Sequence, residues 1–282
     1  MSEPLPEGGV PGRLLAYGPG PEQVAEFYPG RDPGALVVFL HGGYWRAMYD
    51  RSHARPLAGA LAEAGYAVLL AEYRRVGQPG GGYPGTLLDV AALLDTLPDA
   101  VAPDLPVILA GHSAGGHLAL WAAARPALPP GTPGAPSAAG APGVAGGLGR
   151  IVGVLALAPV ADLVSGAELG LGDGAVEAFL GGVPGVVPER YAVADPASLP
   201  APAVPVTMLH GDADDVVPPD VARSYAADGR ATLTLLPGAD HFGVITPGSP
   251  DWLHVLTALD ALKSVKSAAI TPKGDFGGGA DT

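Results

Sequence analysis

The sequence predicts an α/β fold, a mostly parallel central sheet with helices on both faces. Three observations carry this. Strand-length apolar runs alternate with helix-like stretches along the chain. Runs such as Leu36-Val37-Val38-Phe39-Leu40 and Ile151-Val152-Gly153-Val154-Leu155-Ala156-Leu157 are continuously apolar, as strands buried on both faces are. Glycine and proline, 43 and 32 of 282 residues, punctuate these runs, so the elements are short and joined by turns. No internal repeat of useful length is visible.

Taken in order, residues 1–12 are Pro- and Gly-rich and read as a flexible N-terminal segment, with the folded domain over 13–263. Arg13–Tyr17 and Gln23–Tyr28 read as strands around a Gly-Pro-Gly-Pro turn. Leu36–Leu40 is a buried strand that runs into His41-Gly42-Gly43-Tyr44-Trp45. A helix is expected over Ser52–Ala64, stopped by Gly65, then a strand over Ala67–Tyr73 and a helix over Thr86–Leu97. Pro106–Ala110 is the next strand, and His117–Ala124 is helix-like. Residues 126–149 are almost wholly Ala, Gly and Pro and read as a flexible insertion. Ile151–Leu157 is a strand, and 160–203 reads as a cap-like region over the carboxyl edge of the sheet. The strand Val204–Leu209, a helix near Pro219–Ala227, the strand Ala231–Leu236 and the helix Trp252–Leu262 complete the domain. The tail, 264–282, is polar and Gly-rich and is expected to be disordered.

Composition excludes some chemistry. With no cysteine there is neither a disulfide framework nor a thiolate nucleophile. The net charge of −13 argues against nucleic acid or an anionic membrane as partner and is read as a solubility feature. The start, Met1-Ser2-Glu3, lacks the basic-then-apolar order of a signal peptide, and no apolar run approaches the ~18 residues of a membrane span. A cytoplasmic location is the resulting expectation. Metal-ligand spacing is missing, so no metal and no cofactor are expected.

The chemistry centres on Gly111-His112-Ser113-Ala114-Gly115, set between an apolar strand and a helix-like stretch. In that context G-x-S-x-G is a tight turn that lifts a serine hydroxyl above the sheet edge. A phosphate-binding glycine loop is the competing reading, but no G-x-G-x-x-G or P-loop lysine accompanies it. A serine hydroxyl needs a base, and the base needs a partner that fixes its tautomer. His241, between the last strand and the last helix, is the candidate base. Asp214 in His210-Gly211-Asp212-Ala213-Asp214-Asp215 is the preferred carboxylate, with Asp212 and Asp215 left as alternatives. Backbone N–H groups of Gly42, Gly43 and Ala114 are the candidate oxyanion donors, since glycines let the backbone come close. His41 is expected to brace that loop. Tyr44, Trp45 and Phe242 are candidate pocket residues, with core packing the alternative for Tyr44 and Trp45. His112 and His117 are expected to hydrogen-bond locally, His53 and His254 to lie on helices, and His210 to hold the acid loop in shape.

The set HGGYW, GHSAGGH, HGDADD and DHF resembles the serine-type α/β hydrolases over residues 13–262, and within them the arylformamidase (kynurenine formamidase) branch and its esterase relatives. The order Ser, Asp, His along the chain is that of this architecture. Lipase and esterase relatives usually carry a third glycine where Tyr44 stands. The resemblance implies Ser113 as nucleophile, Asp214 as acid and His241 as base, with Gly42, Gly43 and Ala114 in the oxyanion hole. It implies a small-molecule substrate, N-formyl-L-kynurenine, cleaved to L-kynurenine and formate through a formyl-enzyme. A short-chain carboxylesterase is the alternative, a non-catalytic ligand binder the remote one, and a homodimer is possible in either case.

Overall fold

The computed structural model describes residues 10–136 and 148–265. Eight strands form one sheet: β1 (Arg13–Ala16), β2 (Val24–Tyr28), β3 (Leu36–Leu40), β4 (Ala67–Ala71), β5 (Val107–His112), β6 (Ile151–Leu157), β7 (Val206–Gly211) and β8 (Thr232–Leu236). Their spatial order is β1-β2-β4-β3-β5-β6-β7-β8. β2 pairs antiparallel with β1 and β4, and all other pairs are parallel. The helices are α1 (Arg55–Glu63), α2 (Gly85–Val101), α3 (Ala114–Ala124), α4 (Leu163–Glu168), α5 (Leu171–Leu180), α6 (Pro188–Ala194), α7 (Pro219–Ala226) and α8 (Trp252–Lys263).

The unbroken apolar runs have the expected cause. Along β3, Leu36, Val38 and Leu40 enter the core layer shared with α2, α3 and α7, while Val37 and Phe39 enter the layer shared with α1 and α8. Successive side chains point to opposite faces, so a strand covered on both sides can afford no polar position. Every parallel strand ends at the same edge, and the loops leaving β3, β5, β7 and β8 meet there.

Residues 160–203 fold into α4, α5 and α6, stitched together by two buried aspartates. Asp162 caps α4 by accepting from Ser165 N at 2.8 Å. Asp195 accepts from Leu163 N and Ala197 N, both at 3.0 Å. Between α4 and the main turn of α5 the backbone turns left-handed at Gly170, Gly172, Asp173 and Gly174. The first part of the 126–149 segment packs on the domain: Arg125 Nε donates to Gly134 O at 2.6 Å, and Leu128 is buried. Residues 137–147 of that segment, with 1–9 and 266–282 at the ends, lie outside the described residues. No helix among the described residues is long and apolar enough to cross a membrane.

Burial pushes the Asp195 carboxyl up to about 6 despite its backbone donors. A raised carboxyl means the native state holds a proton that the unfolded chain has released, so stability falls as pH rises from about 4 to about 6. The difference amounts to on the order of 3 kcal/mol at neutral pH. Asp195→Asn is therefore expected to match the wild type in urea unfolding at pH 4 and to exceed it by about that amount at pH 7. Parallel stability curves for the two proteins would remove this account.

Candidate active site

Ser113 sits at φ 55° and ψ −119°, between the end of β5 and the first residue of α3. The turn is closed by backbone contacts that no Cβ could share. A Cβ on Gly111 would lie 2.2 Å from Gly115 O, and one on Gly115 would lie 2.0 Å from Leu40 O. The Ser113 backbone is fully engaged: its N–H donates to Leu157 O at 2.8 Å, and its carbonyl accepts from His117 N at 3.1 Å and Val160 N at 3.2 Å. Its hydroxyl makes no hydrogen bond among the described residues.

Asp214 and His241 are joined. His241 Nδ1–H donates to Asp214 Oδ2 at 2.7 Å, with both side chains buried. Asp214 Oδ1 accepts from Val216 N at 2.9 Å and Val217 N at 2.8 Å. His210 Nε2 lies 3.1 Å from Asp214 Oδ2 and donates to Val217 O at 2.8 Å, so it holds the acid loop in shape as expected. Burial would raise the Asp214 carboxyl, but the donors from His210, His241 and Val217 outweigh it and hold the carboxyl well below the usual range. Asp212 faces elsewhere, accepting from Gly238 N, and both Asp212 and Asp215 are exposed.

His112 ties the His241 loop to the serine turn. Its Nε2–H donates to His241 O at 2.9 Å, and the two rings lie 4.5 Å apart. Burial holds this imidazole well below its ordinary pKa, so it stays neutral. Ser113, His241 and Asp214 thus share one rim. Of the two contacts a relay needs, Asp214–His241 is made as a hydrogen bond, while none joins the Ser113 hydroxyl to the His241 ring among the described residues.

The Gly42-Gly43 loop leaves β3 against the serine turn. A Cβ on Gly42 would lie 3.2 Å from Ser113 Cβ, so only glycine brings the backbone this close. Gly43 has φ +109°, and Tyr44 and Trp45 continue left-handed at φ 50° and 54°. Two consecutive aromatics in that region are strained and must be held from outside. Tyr44 Oη–H donates to Val216 O at 2.7 Å, beside Asp214, and its ring packs on Gly172. Burial pushes the Tyr44 phenol up to about 12. Trp45 is the correction here: it is 0% exposed, stacked on Phe179 at 4.7 Å and edge-on to His117 at 5.1 Å, and it belongs to the core rather than to a pocket. The left-handed step turns adjacent side chains apart, Tyr44 toward the rim and Trp45 inward. Phe242 lies edge-on to His241 at 5.1 Å and is half-buried.

Sequence reading missed Glu72. It follows the apolar run of β4, and its carboxylate accepts from His41 Nε2 at 2.9 Å. The available signal was an acid placed directly after a strand buried on both faces.

A family model described as "Alpha/beta hydrolase family" matches residues 37–253. An acetyl-hydrolase from Streptomyces hygroscopicus is 39% identical over 95 residues, 33% of this chain and 31% of that protein. The kynurenine formamidase of Drosophila melanogaster is 32% identical over 116 residues, 40% of this chain and 38% of that protein. The chain therefore matches about a third of the length of these curated relatives. Among solved structures, a truncated carbohydrate esterase from gut microbiota superposes with a TM-score of 0.73 at 17% identity, covering 93% of this chain and 98% of that one.

Proposed function

The chain belongs to the alpha/beta hydrolase family, and from that premise we propose that it is a serine hydrolase that cleaves N-formyl aryl amides, N-formyl-L-kynurenine giving L-kynurenine and formate. The observation that carries the hydrolase reading is the buried Asp214–His241 hydrogen bond on a loop that His112 fastens to the Ser113 turn. With Nδ1–H committed to Asp214, His241 Nε2 is the free base.

Ser113 Oγ attacks the formyl carbon as His241 Nε2 takes its proton. The carbonyl oxygen becomes an oxyanion facing the N–H groups of Gly42, Gly43 and Ala114, none of which donates to another group among the described residues. Each such donor is worth roughly 10²–10³ in rate. The intermediate collapses with cleavage of the C–N bond, and His241 gives its proton to the departing aniline nitrogen. Water then attacks the formyl ester with His241 again as base, releasing formate and restoring Ser113. A formyl carbon is unhindered, and an aniline leaves more readily than an alkyl amine.

Two features favour the formamide over other acyl groups. Tyr44 fills the place of a third loop glycine, and the chain shares 32% identity over 116 residues with a kynurenine formamidase. The second reading, a hydrolase of short-chain acyl esters, is favoured by the 95-residue similarity to an acetyl-hydrolase. A panel of formyl-kynurenine, aryl acetates and longer acyl esters separates them. The highest kcat/KM is expected for the formamide, and turnover of esters alone would establish the second reading instead. Labelling of Ser113 by a fluorophosphonate is expected in either case, and its absence would leave only a ligand-binding role.

A further inference from the structure

Glycines that let the oxyanion loop approach the serine also let its peptide planes flip. A flip of the Gly42–Gly43 peptide would carry the Gly43 φ from +109° to roughly −70°, a region every residue adopts. In a trans peptide the carbonyl and N–H point opposite ways, so the flipped plane would present an oxygen where the donor belongs. Something must hold the unflipped plane.

His41 does so directly. Its Nδ1–H donates to Gly42 O at 2.7 Å, on the far side of the plane from the Gly43 N–H. Its Nε2–H donates to Glu72 Oε1 at 2.9 Å. Both ring nitrogens are thus engaged, one by the loop carbonyl and one by the carboxylate. Tyr73 stacks on the imidazole at 4.4 Å and donates from Oη to His41 O at 2.7 Å, so the ring cannot swing away. Glu72 is itself held: it accepts from Arg51 N at 3.1 Å and from Tyr73 N at 3.1 Å, and Arg75 Nη1 lies 3.3 Å away. Burial pushes its carboxyl up, but His41 and Arg75 outweigh that and keep it below the ordinary value.

We propose that His41, locked by Glu72, is a positioning residue that fixes the Gly42–Gly43 peptide plane and so aims the Gly43 N–H at the oxyanion. This rests on the serine hydrolase reading and extends it to residues that never touch substrate. The test compares three variants of the full chain. In His41→Asn the amide N–H replaces Nδ1–H and still reaches Gly42 O, while in His41→Gln the amide reaches Glu72 and leaves Gly42 O unheld. His41→Gln is expected to lose roughly 10²-fold in kcat with KM within about twofold, and His41→Asn less than about tenfold. Affinity for a trifluoromethyl ketone, whose adduct carries an oxyanion, is expected to fall in the same order. Glu72→Gln, which preserves side-chain volume, is expected to lose about tenfold in kcat, because a neutral amide holds the ring less firmly than a carboxylate does. Equal losses in the two His41 variants, or a loss confined to KM, would overturn the proposal. Should the His41 variants fail to fold, wild-type kcat in Glu72→Gln would overturn it. A wild type that neither hydrolyses the panel nor reacts with a fluorophosphonate would instead remove the hydrolase reading itself.

Discussion

Ser113→Gly is expected to abolish turnover, by roughly 10⁴-fold or more, and to give a protein more stable than the wild type. The two effects have one origin. At φ 55° and ψ −119° Ser113 has the dihedrals of the first central position of a type II′ turn, where glycine is favoured because a Cβ is crowded. Strain of this kind costs about 1–3 kcal/mol, and glycine releases it. Against that stands the extra chain entropy of glycine in the unfolded state, about 0.5–1 kcal/mol. Nothing else is lost to the fold, since the Ser113 backbone bonds to Leu157, His117 and Val160 survive the change. A net gain of about 1 kcal/mol follows. Ser113→Ala, which keeps the Cβ and therefore the strain, should be equally inactive and no more stable than the wild type. Steady-state assays on the panel with urea unfolding of all three proteins test this. Retained turnover in either variant would place the nucleophile elsewhere, and a glycine variant less stable than the alanine one would refute the strain.

How much of this was legible in the sequence depends on which forces act locally. Strands β3, β4 and β6 could be read because burial on both faces leaves no polar position within them, and the G-x-S-x-G turn because its glycines answer to contacts as close as 2.0 Å. Asp214 could be preferred but not settled. Three carboxylates stand within four residues, and what separates them is that two backbone donors pin Oδ1 of Asp214 and so point Oδ2 at His241. Trp45 was misplaced because a loop has no periodicity from which to read inside and outside. Its burial follows from a left-handed step that sequence patterns do not report. Glu72 was overlooked because its partner His41 lies 31 residues away on another strand end.

The same pinning makes Asp214→Asn more damaging than a charge change alone would suggest. In asparagine one terminal atom is an oxygen and the other an NH₂. Val216 N and Val217 N both donate to the Oδ1 position, so the oxygen must stay there. The NH₂ is then forced to the Oδ2 position, 2.7 Å from His241 Nδ1. Two donors cannot face each other, so His241 must move its proton to Nε2, where it can no longer accept one from Ser113. A wrong tautomer of this kind costs on the order of 10⁴ in kcat. The NH₂ also confronts the His210 N–H at 3.1 Å, so stability falls as well. The pH dependence should change with it. A carboxyl held below its unfolded value stabilises the fold above about pH 4 and loses that contribution as pH falls through the native pKa. The wild type is therefore expected to lose this contribution on acidification and the variant to lack it, with the gap between their unfolding curves closing as pH falls. Asp212→Asn and Asp215→Asn, on exposed carboxylates, are expected to stay within about threefold of wild-type kcat. A crippled Asp212 or Asp215 variant beside a working Asp214→Asn would transfer the acid's role to that neighbour.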